Sequence, residues 1–347
     1  MSGAISGHTL HVLVVDKAGP QRSRLVEVLH DEGDIVVVGQ PSNAADAIEQ
    51  VAQARPDVVI LDLHLPGGQS QHTIEQIMAR TPTPILILSA RLDDRDSPSA
   101  VQALVAGALE ALPTPGQWTP ELGAELRRIV RLISTVHVIM HPRGGRPQGS
   151  KRDTTQRSEL QPVVAIAAST GGPNALATIL SGLAGLQAPV LVVQHLHADF
   201  VAGLVEWMSR VSALPVEIAR PHQVTRSGMI YLAPGGTHLR LGANRRLELH
   251  ESPVSVHRPS ADELFKSVAD NAHSAGIGVL LTGMGDDGAQ GLLAIRRQGG
   301  VTLAQDEASS AVFGMPKAAE RLGAVTKMLP LDKLAAGIHR AVRQVQP

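Results

Sequence analysis

Three short stretches carry side chains that could do covalent chemistry together. They are Ser169-Thr170 at the end of an apolar run from Val163, His195 after the run Val190–Gln194, and Asp287 in Leu281-Thr-Gly-Met-Gly-Asp-Asp-Gly288. A hydroxyl, an imidazole and a carboxylate are the parts of a nucleophile, its general base and the acid that orients the base. A serine is unreactive at neutral pH until a base takes its proton, and a carboxylate fixes that base's tautomer and stabilises the imidazolium. Amides around Met284, flanked by glycine, would supply donors for the oxyanion of a tetrahedral intermediate, with Thr170 nearby. Plainer roles remain open for each. Ser169 could cap a helix, Ser-Thr-Gly-Gly could cradle a phosphate, His195 could be structural, and Asp286 or Asp287 could cap the helix after Gly288. The spacing supplies neither G-x-S-x-G nor G-x-G-x-x-G, so neither a hydrolase elbow nor a dinucleotide fingerprint is indicated.

For distant residues to meet, parallel strands must deliver them to one sheet edge. The periodicity predicts strands at Val163–Ala168, Val190–Gln194, Val216–Ala219, Val279–Leu281 and Val301–Ala304. Helices are expected near Asn174–Leu186, Asp199–Val211, Ala261–Ser274, Gly288–Gln298 and Leu331–Val345. Met229–Ala233, His238–Leu241 and Leu247–His250 read as short alternating strands of an antiparallel flap interrupting the parallel sheet.

The first part of the chain alternates in the same way. Apolar runs at His11–Asp16, Ile35–Gly39, Val58–Asp62, Ile85–Ser89 and Leu109–Leu112 are separated by segments long enough for crossover helices, such as Pro20–Asp31, Asn43–Ala54 and Gln71–Arg80. Five such units make a small parallel sheet with Asp16, Asp62 and Ser89 gathered on one edge. Two carboxylates there would suit a hard cation, or simply cap their loops. Apolar residues Leu122, Leu126, Ile129, Val130 and Ile133 fit a closing amphipathic helix. Residues from Met140 to about Gln161, rich in Pro, Gly, Arg and Lys without apolar period, read as a linker. The expected division is 9–135, a linker at 136–161, and 162–347. The fold class is α/β, with two doubly wound parallel-sheet domains, the first flavodoxin-like and the second Rossmann-like with an antiparallel flap.

Composition narrows the function classes. Among 347 residues, 43% are hydrophobic, only 2% are aromatic, and the formal net charge is -1, so neither a basic field nor a stacking surface points to nucleic acid. The absence of cysteine removes disulfides, thiolate metal sites and a cysteine nucleophile. No apolar run approaches the ~20 residues of a membrane helix, and Met1–Leu10 lacks the pattern of a signal peptide. A cytoplasmic protein without membrane insertion is expected.

Val-Val-Asp16, Leu61-Asp62-Leu-His-Leu-Pro66-Gly and Leu88-Ser89-Ala90 resemble a response-regulator receiver domain. The resemblance implies phosphoryl acceptance at Asp62, from a histidine kinase of a chemosensory system, and Mg²⁺ held at Asp16 and Asp62. The receiver pocket would comprise Asp16, Lys17, Ser89 and Thr114. The chain departs from the family's pattern at Lys17, where a second acid is usual, at Ala111, where an aromatic is usual, and at Thr114, where a lysine is usual. Lys17 could pair directly with Asp62 and fix the domain in one state, so that receiver control would not depend on phosphorylation.

Ala168-Ser169-Thr-Gly-Gly-Pro173, Val193-Gln194-His195, Leu232-Ala-Pro-Gly235, His257-Arg-Pro-Ser260, Thr282-Gly-Met-Gly-Asp-Asp-Gly288 and Phe313-Gly-Met-Pro316 together resemble the catalytic domain of chemotaxis protein-glutamate methylesterases of the CheB type. This implies a catalytic Ser169, His195 and Asp287, with Thr170 and Met284 near the oxyanion. It implies hydrolysis of glutamate γ-methyl esters on chemoreceptor cytoplasmic helices, with glutamine deamidation, and no cofactor for that chemistry. Two readings from other classes stand beside it: a regulatory docking protein that keeps the esterase fold, and a phosphate- or nucleotide-binding domain using the Ser-Thr-Gly-Gly turn.

Overall fold

The runs Val58–Asp62 and Ile85–Ser89 contain no polar residue before their last position, as strands covered on both faces require, and both are buried throughout. The computed structural model describes residues 9–17, 19–66, 69–89, 97–136, 161–253 and 257–345. The chain divides into two units, Met1–Pro142 and Arg143–Pro347. Residues 137–160 of the expected linker lie outside the described residues.

The first unit runs β1 (Leu10–Val15), α1 (Pro20–His30), β2 (Ile35–Gly39), α2 (Ala44–Ala54), β3 (Val58–Asp62), α3 (Ser70–Arg80), β4 (Ile85–Ser89), α4 (Ser97–Ala106), β5 (Glu110–Pro113) and α5 (Pro120–Ser134). Its five strands are parallel in the order β2-β1-β3-β4-β5. The expected units are all present, and α4 adds a helix that the sequence reading had not placed. Helix α5 differs in its buried face. Leu126, Val130 and Ile133 are buried as expected, but Leu122 is exposed and Arg127 is buried. Arg127 donates to the Val28 carbonyl at 2.7 Å and pairs with Glu32 at 2.9 Å, so its stem packs while its charge is matched.

The second unit runs β6 (Val163–Ala168), α6 (Gly172–Ser181), β7 (Val190–Gln194), α7 (Val201–Val211), β8 (Val216–Ile218), β9 (Ile230–Leu232), β10 (His238–Leu241), β11 (Leu247–His250), α8 (Ala261–Ala272), β12 (Gly276–Leu280), α9 (Ala289–Arg297), β13 (Val301–Gln305), α10 (Met315–Arg321), β14 (Lys327–Leu329) and α11 (Leu331–Val345). Seven strands form one parallel sheet in the order β14-β13-β12-β6-β7-β9-β8. Among the strands of the described residues, only β10 and β11 pair antiparallel. The expected three-strand flap is therefore corrected: Ile230-Tyr231-Leu232 belongs to the parallel sheet, because all three residues are buried rather than alternately exposed. The glycines at 276 and 278 dilute the apolar pattern, and β12 begins three residues earlier than expected. Helix α6 stops at Ser181 rather than Leu186, and α10 and β14 were not anticipated.

The chain enters the sheet at β6, builds outward through β7, and returns to lay β12 on the other side of β6. The carboxyl end of β6 is thus a switch point, the place where open α/β sheets bind ligands. The turn leaving β6 is tightly built. A methyl group at Gly172 would overlap the Gln194 carboxamide and approach Ala168 Cβ to 2.9 Å. Gly172→Ala is expected to lower stability by about 1–3 kcal/mol, as overpacking does. Urea unfolding of the full-length chain measures this, and an unchanged midpoint would show that the turn relaxes freely.

Candidate active site

Ser169, His195 and Asp287 follow β6, β7 and β12, the three adjacent strands at the switch point. Backbone bonds extend the strand pairing to the residues themselves: the His195 amide donates to the Ala168 carbonyl at 2.9 Å, and the Ser169 amide to the Thr282 carbonyl at 3.0 Å. The loop after β12 can lie this close to the serine because Gly283 has no side chain. A Cβ there would stand 2.7 Å from Ser169 Cβ. The carboxamide of Gln194, itself buried, donates to the Ser169 carbonyl at 2.9 Å and the His195 carbonyl at 3.0 Å. One side chain thereby ties the two backbones together.

His195 Nε2 lies 2.8 Å from Asp287 Oδ2. A carboxylate only accepts, so Nε2 carries the proton and Nδ1 keeps its lone pair. Nδ1 is buried without a hydrogen-bond partner among the described residues. Ser169 is buried at the end of the neighbouring strand, and among the described residues it forms no hydrogen bond to the imidazole. Contacts of this kind are often long without substrate and tighten when it binds. The ring of His257 stacks on that of His195, with centroids 4.2 Å apart and planes within 7°.

Asp287 rests on the amino terminus of α8. Its Oδ1 accepts from the Ser260 hydroxyl at 2.8 Å and the Asp262 amide at 3.0 Å, and its Oδ2 also accepts from the Ala261 amide at 2.7 Å. Burial pushes this carboxyl up, but the hydrogen bond and charge of His195 and the two amides outweigh it and hold the group well below the usual carboxylate range. Asp286 points outward and is exposed, which separates the two adjacent acids. Thr170 is buried and Met284 half-buried, both next to the serine turn. The Met284 amide has no hydrogen-bond partner among the described residues, so a donor at this strand end remains available. A second buried network supports the turn from below, with Gln305 accepting from the Thr282 amide at 2.9 Å and the Thr282 hydroxyl donating to the Thr170 carbonyl at 3.0 Å.

A serine, a tautomer-fixed imidazole with a free basic nitrogen, and a buried carboxylate on one sheet edge are equipped for acyl transfer. Ser260, His257 and Gln194 were not given roles by the sequence reading. Ser260-Ala-Asp-Glu263 does carry the S-x-x-E signature of a helix start, and the Ser260 hydroxyl also accepts from the Glu263 amide. Its second partner, Asp287, is far along the chain and invisible in that pattern.

The family model for CheB methylesterase matches residues 164–338. The chain belongs to the CheB methylesterase family. The response regulator receiver domain model matches residues 12–117, so this CheB-family chain carries a receiver before its esterase-type domain. A protein-glutamate methylesterase/protein-glutamine glutaminase of Anaeromyxobacter dehalogenans is 41% identical, over 99% of this chain and 100% of the relative. A relative with the same name from Nitrosospira multiformis is 36% identical over 96% and 98%. The crystal structure of the Thermotoga maritima CheB methylesterase catalytic domain is 33% identical, covers 52% of this chain and 98% of its own, and superposes with a TM-score of 0.50. No helix among the described residues is long and apolar enough to cross a membrane.

In the receiver unit, Asp16, Asp62 and Thr114 line one small concavity above the strand ends. Ser89 is fully buried at the end of β4, and its carbonyl accepts from the Thr114 amide at 2.7 Å. Lys17 is exposed, and no ion pair joins it to Asp62 among the described residues, so the expected direct pairing is not found. Asp62 instead accepts from the His64 amide at 3.1 Å, with His64 Nδ1 at 3.6 Å. Burial and the facing Asp62 carboxyl push Asp16 up to about 6. A carboxyl whose native pKa lies above its unfolded value, ~3.9, favours folding at low pH and loses that contribution as pH rises through the native value. Stability of this unit is therefore expected to fall between about pH 4 and the Asp16 titration near 6. Trp118 fluorescence in a Trp207→Phe background would follow it in urea, and Asp16→Asn should flatten the fall; an equal fall in that variant would assign it elsewhere.

Proposed function

We propose that this protein hydrolyses glutamate γ-methyl esters on the cytoplasmic helices of chemoreceptors, and deamidates receptor glutamines, through Ser169, His195 and Asp287. The observation that carries this reading is the His195–Asp287 hydrogen bond, which leaves Nδ1 of the imidazole with its lone pair free, on the strand end neighbouring that of Ser169. As substrate enters, Ser169 Oγ attacks the ester carbonyl carbon and its proton passes to Nδ1. The Met284 amide, with Thr170 beside it, receives the oxyanion. The tetrahedral intermediate expels methoxide, which takes the proton from His195 and leaves as methanol. Water then gives a proton to the same nitrogen as it attacks the acyl-enzyme, and the second tetrahedral intermediate expels Ser169 Oγ, which takes that proton back from His195 and frees the glutamate carboxylate. With a glutamine side chain, ammonia leaves in place of methanol. None of these steps calls on a metal or an organic cofactor. The names of the relatives point to the same pair of substrates.

The test is methanol release from a methyl-esterified receptor cytoplasmic fragment by the full-length protein. Release that is lost in Ser169→Ala supports the reading, and release at equal rates from both overturns it.

For the receiver we propose that Asp62 accepts a phosphoryl group from a chemosensory histidine kinase, and that the protein works in the cytoplasm where that kinase and the receptor helices meet it. Support comes from Asp62 itself, whose carboxyl is not locked by Lys17. Asp16 and Asp62 face each other across the concavity, and Mg²⁺ held by the two would offset their mutual repulsion and supply positive charge to a phosphoryl oxygen. Intact mass after incubation with a small phosphodonor and Mg²⁺ is expected to show one phosphoryl adduct, absent in Asp62→Ala. No adduct in the unaltered chain would mean that the receiver acts without phosphorylation.

A further inference from the structure

The loop His257–Ser260 delivers both of the contacts that hold the His195–Asp287 pair from outside. His257 stacks on the imidazole, and Ser260 begins the turn whose hydroxyl and following amides cradle Asp287. What fixes this loop is a buried histidine on the antiparallel hairpin. His238, the first residue of β10, is fully inaccessible to solvent. Its Nε2 lies 2.8 Å from the Pro253 carbonyl, and its Nδ1 lies 3.1 Å from the Ser260 amide. A carbonyl can only accept and an amide can only donate, so both partners are satisfied by one tautomer alone, the neutral ring with its proton on Nε2. The Gly236 amide adds a second tie from the same side, donating to the Arg258 carbonyl at 3.3 Å.

We infer that His238 is a positioning residue for ester hydrolysis, acting through Ser260 to place the cradle in which Asp287 orients His195. This rests on Asp287 being the orienting acid of the proposed triad. Among the described residues His238 makes no hydrogen bond to the serine or the base, and its effect travels by one hydrogen bond, donated by the Ser260 amide to Nδ1. The Ser260 backbone then sets where its hydroxyl meets Oδ1 and where the Ala261 and Asp262 amides meet the carboxylate. If the cradle shifts, the imidazole shifts with it, and misplacement of about 1 Å in such a group can cost on the order of 100-fold in rate. The antiparallel hairpin is thereby given a catalytic purpose: it is the wall against which the loop is registered.

The two ring nitrogens make the idea separable from a merely structural role. His238→Asn keeps an acceptor where Nδ1 stands and loses the reach to Pro253. His238→Gln keeps a polar group at the Nε2 end and loses the acceptor facing Ser260. His238→Leu loses both. In full-length protein, with methyl-esterified receptor fragment as substrate, kcat is expected to fall roughly 10- to 100-fold in Leu and Gln. Asn should recover to within severalfold of the original, and KM should change little in all three. Thermal midpoints should drop in all three, since each loses at least one buried hydrogen bond, and rates are compared at equal folded fraction. Ser260→Ala, which keeps the amide but removes the hydroxyl on Oδ1, serves as a second probe. Its loss of kcat should not add to that of His238→Leu.

Asp287→Asn is measured alongside. If that variant keeps the original rate, the triad reading and the His238 inference fall together. If it loses rate while His238→Leu keeps its kcat, or while Asn is no better than Leu, only the positioning role of His238 is overturned.

Discussion

Replacing Ser169 with alanine is expected to lower kcat for ester hydrolysis by roughly 10⁴- to 10⁶-fold, the range seen when a nucleophile acting as one unit with its base is removed. His195→Ala should cost about as much, and the double variant little more, because either loss ends the covalent route. KM should stay within about twofold, since neither side chain is needed to hold the ground-state ester. The physical case lies in the burial of the pair. Ser169 is buried, His195 stands at the end of the neighbouring strand, and its Nδ1 is buried without a hydrogen-bond partner among the described residues. The activity that remains would come from the oxyanion donors and from substrate binding. Methanol release at saturating receptor fragment, in long incubations with high enzyme concentration, gives the ratio. A loss of only tenfold in Ser169→Ala would point to direct attack by water and end the acyl-enzyme mechanism.

The parts of this site that the sequence made legible are those written as continuous apolar runs ending in a reactive group. Val163–Ala168 and Val190–Gln194 are buried on both faces, so their ends could be placed within a residue, and with them Ser169 and His195. Asp287 was assigned by resemblance, and its geometry gives the reason that Asp286 is not equivalent: only the second acid reaches the amino end of α8. What could not be read were contacts between segments with no shared period. Met229–Ala233 gave an alternating pattern because Tyr231 looks amphipathic, yet its hydroxyl is used internally, accepting from the Arg226 amide at 2.9 Å, and the strand is buried in the parallel sheet. The burial of Arg127 on α5 has no signal in the helix's own pattern, because the acids it meets, Asp31 and Glu32, come from the loop after α1, far away in sequence.

The receiver shows the same limit in electrostatic form. A lysine in place of a second acid after Asp16 suggested a built-in counter-ion for Asp62. Adjacent residues at a strand end point in different directions, however, and Lys17 turns to solvent while Asp16 turns to Asp62. The resulting like-charge pair was implicit in the two strand ends, but its strength depends on burial, which no residue pattern states.

Asp287→Asn should reduce kcat by about 10⁴-fold with little change in KM, although the two side chains have almost the same shape. The reason is the number of donors already aimed at this carboxylate. Oδ1 accepts from the Ser260 hydroxyl and the Asp262 amide, and Oδ2 from the Ala261 amide and His195 Nε2. An asparagine must set its NH₂ against one of these donor pairs. With the NH₂ at the Oδ2 position, His195 can meet it only by accepting at Nε2, which moves the ring proton to Nδ1 and removes the base from the serine. With the NH₂ at the Oδ1 position, the Asp262 amide loses its acceptor, and the imidazolium loses its negative partner in either orientation. The same donors give the variant a signature in stability. Burial raises the Asp287 pKa, but His195 and the helix amides lower it further, so the native carboxyl lies well below the usual range. A depressed carboxyl contributes stability above its unfolded value, ~3.9, and loses it as pH falls below that value toward the native pKa. Asp287→Asn should therefore be less stable than the original chain at pH 7, and the gap should narrow below about pH 4. Urea midpoints at the two pH values, taken with kcat at pH 7, test the account, and a gap that stays constant with pH would mean that the charge of Asp287 is not what its cradle holds.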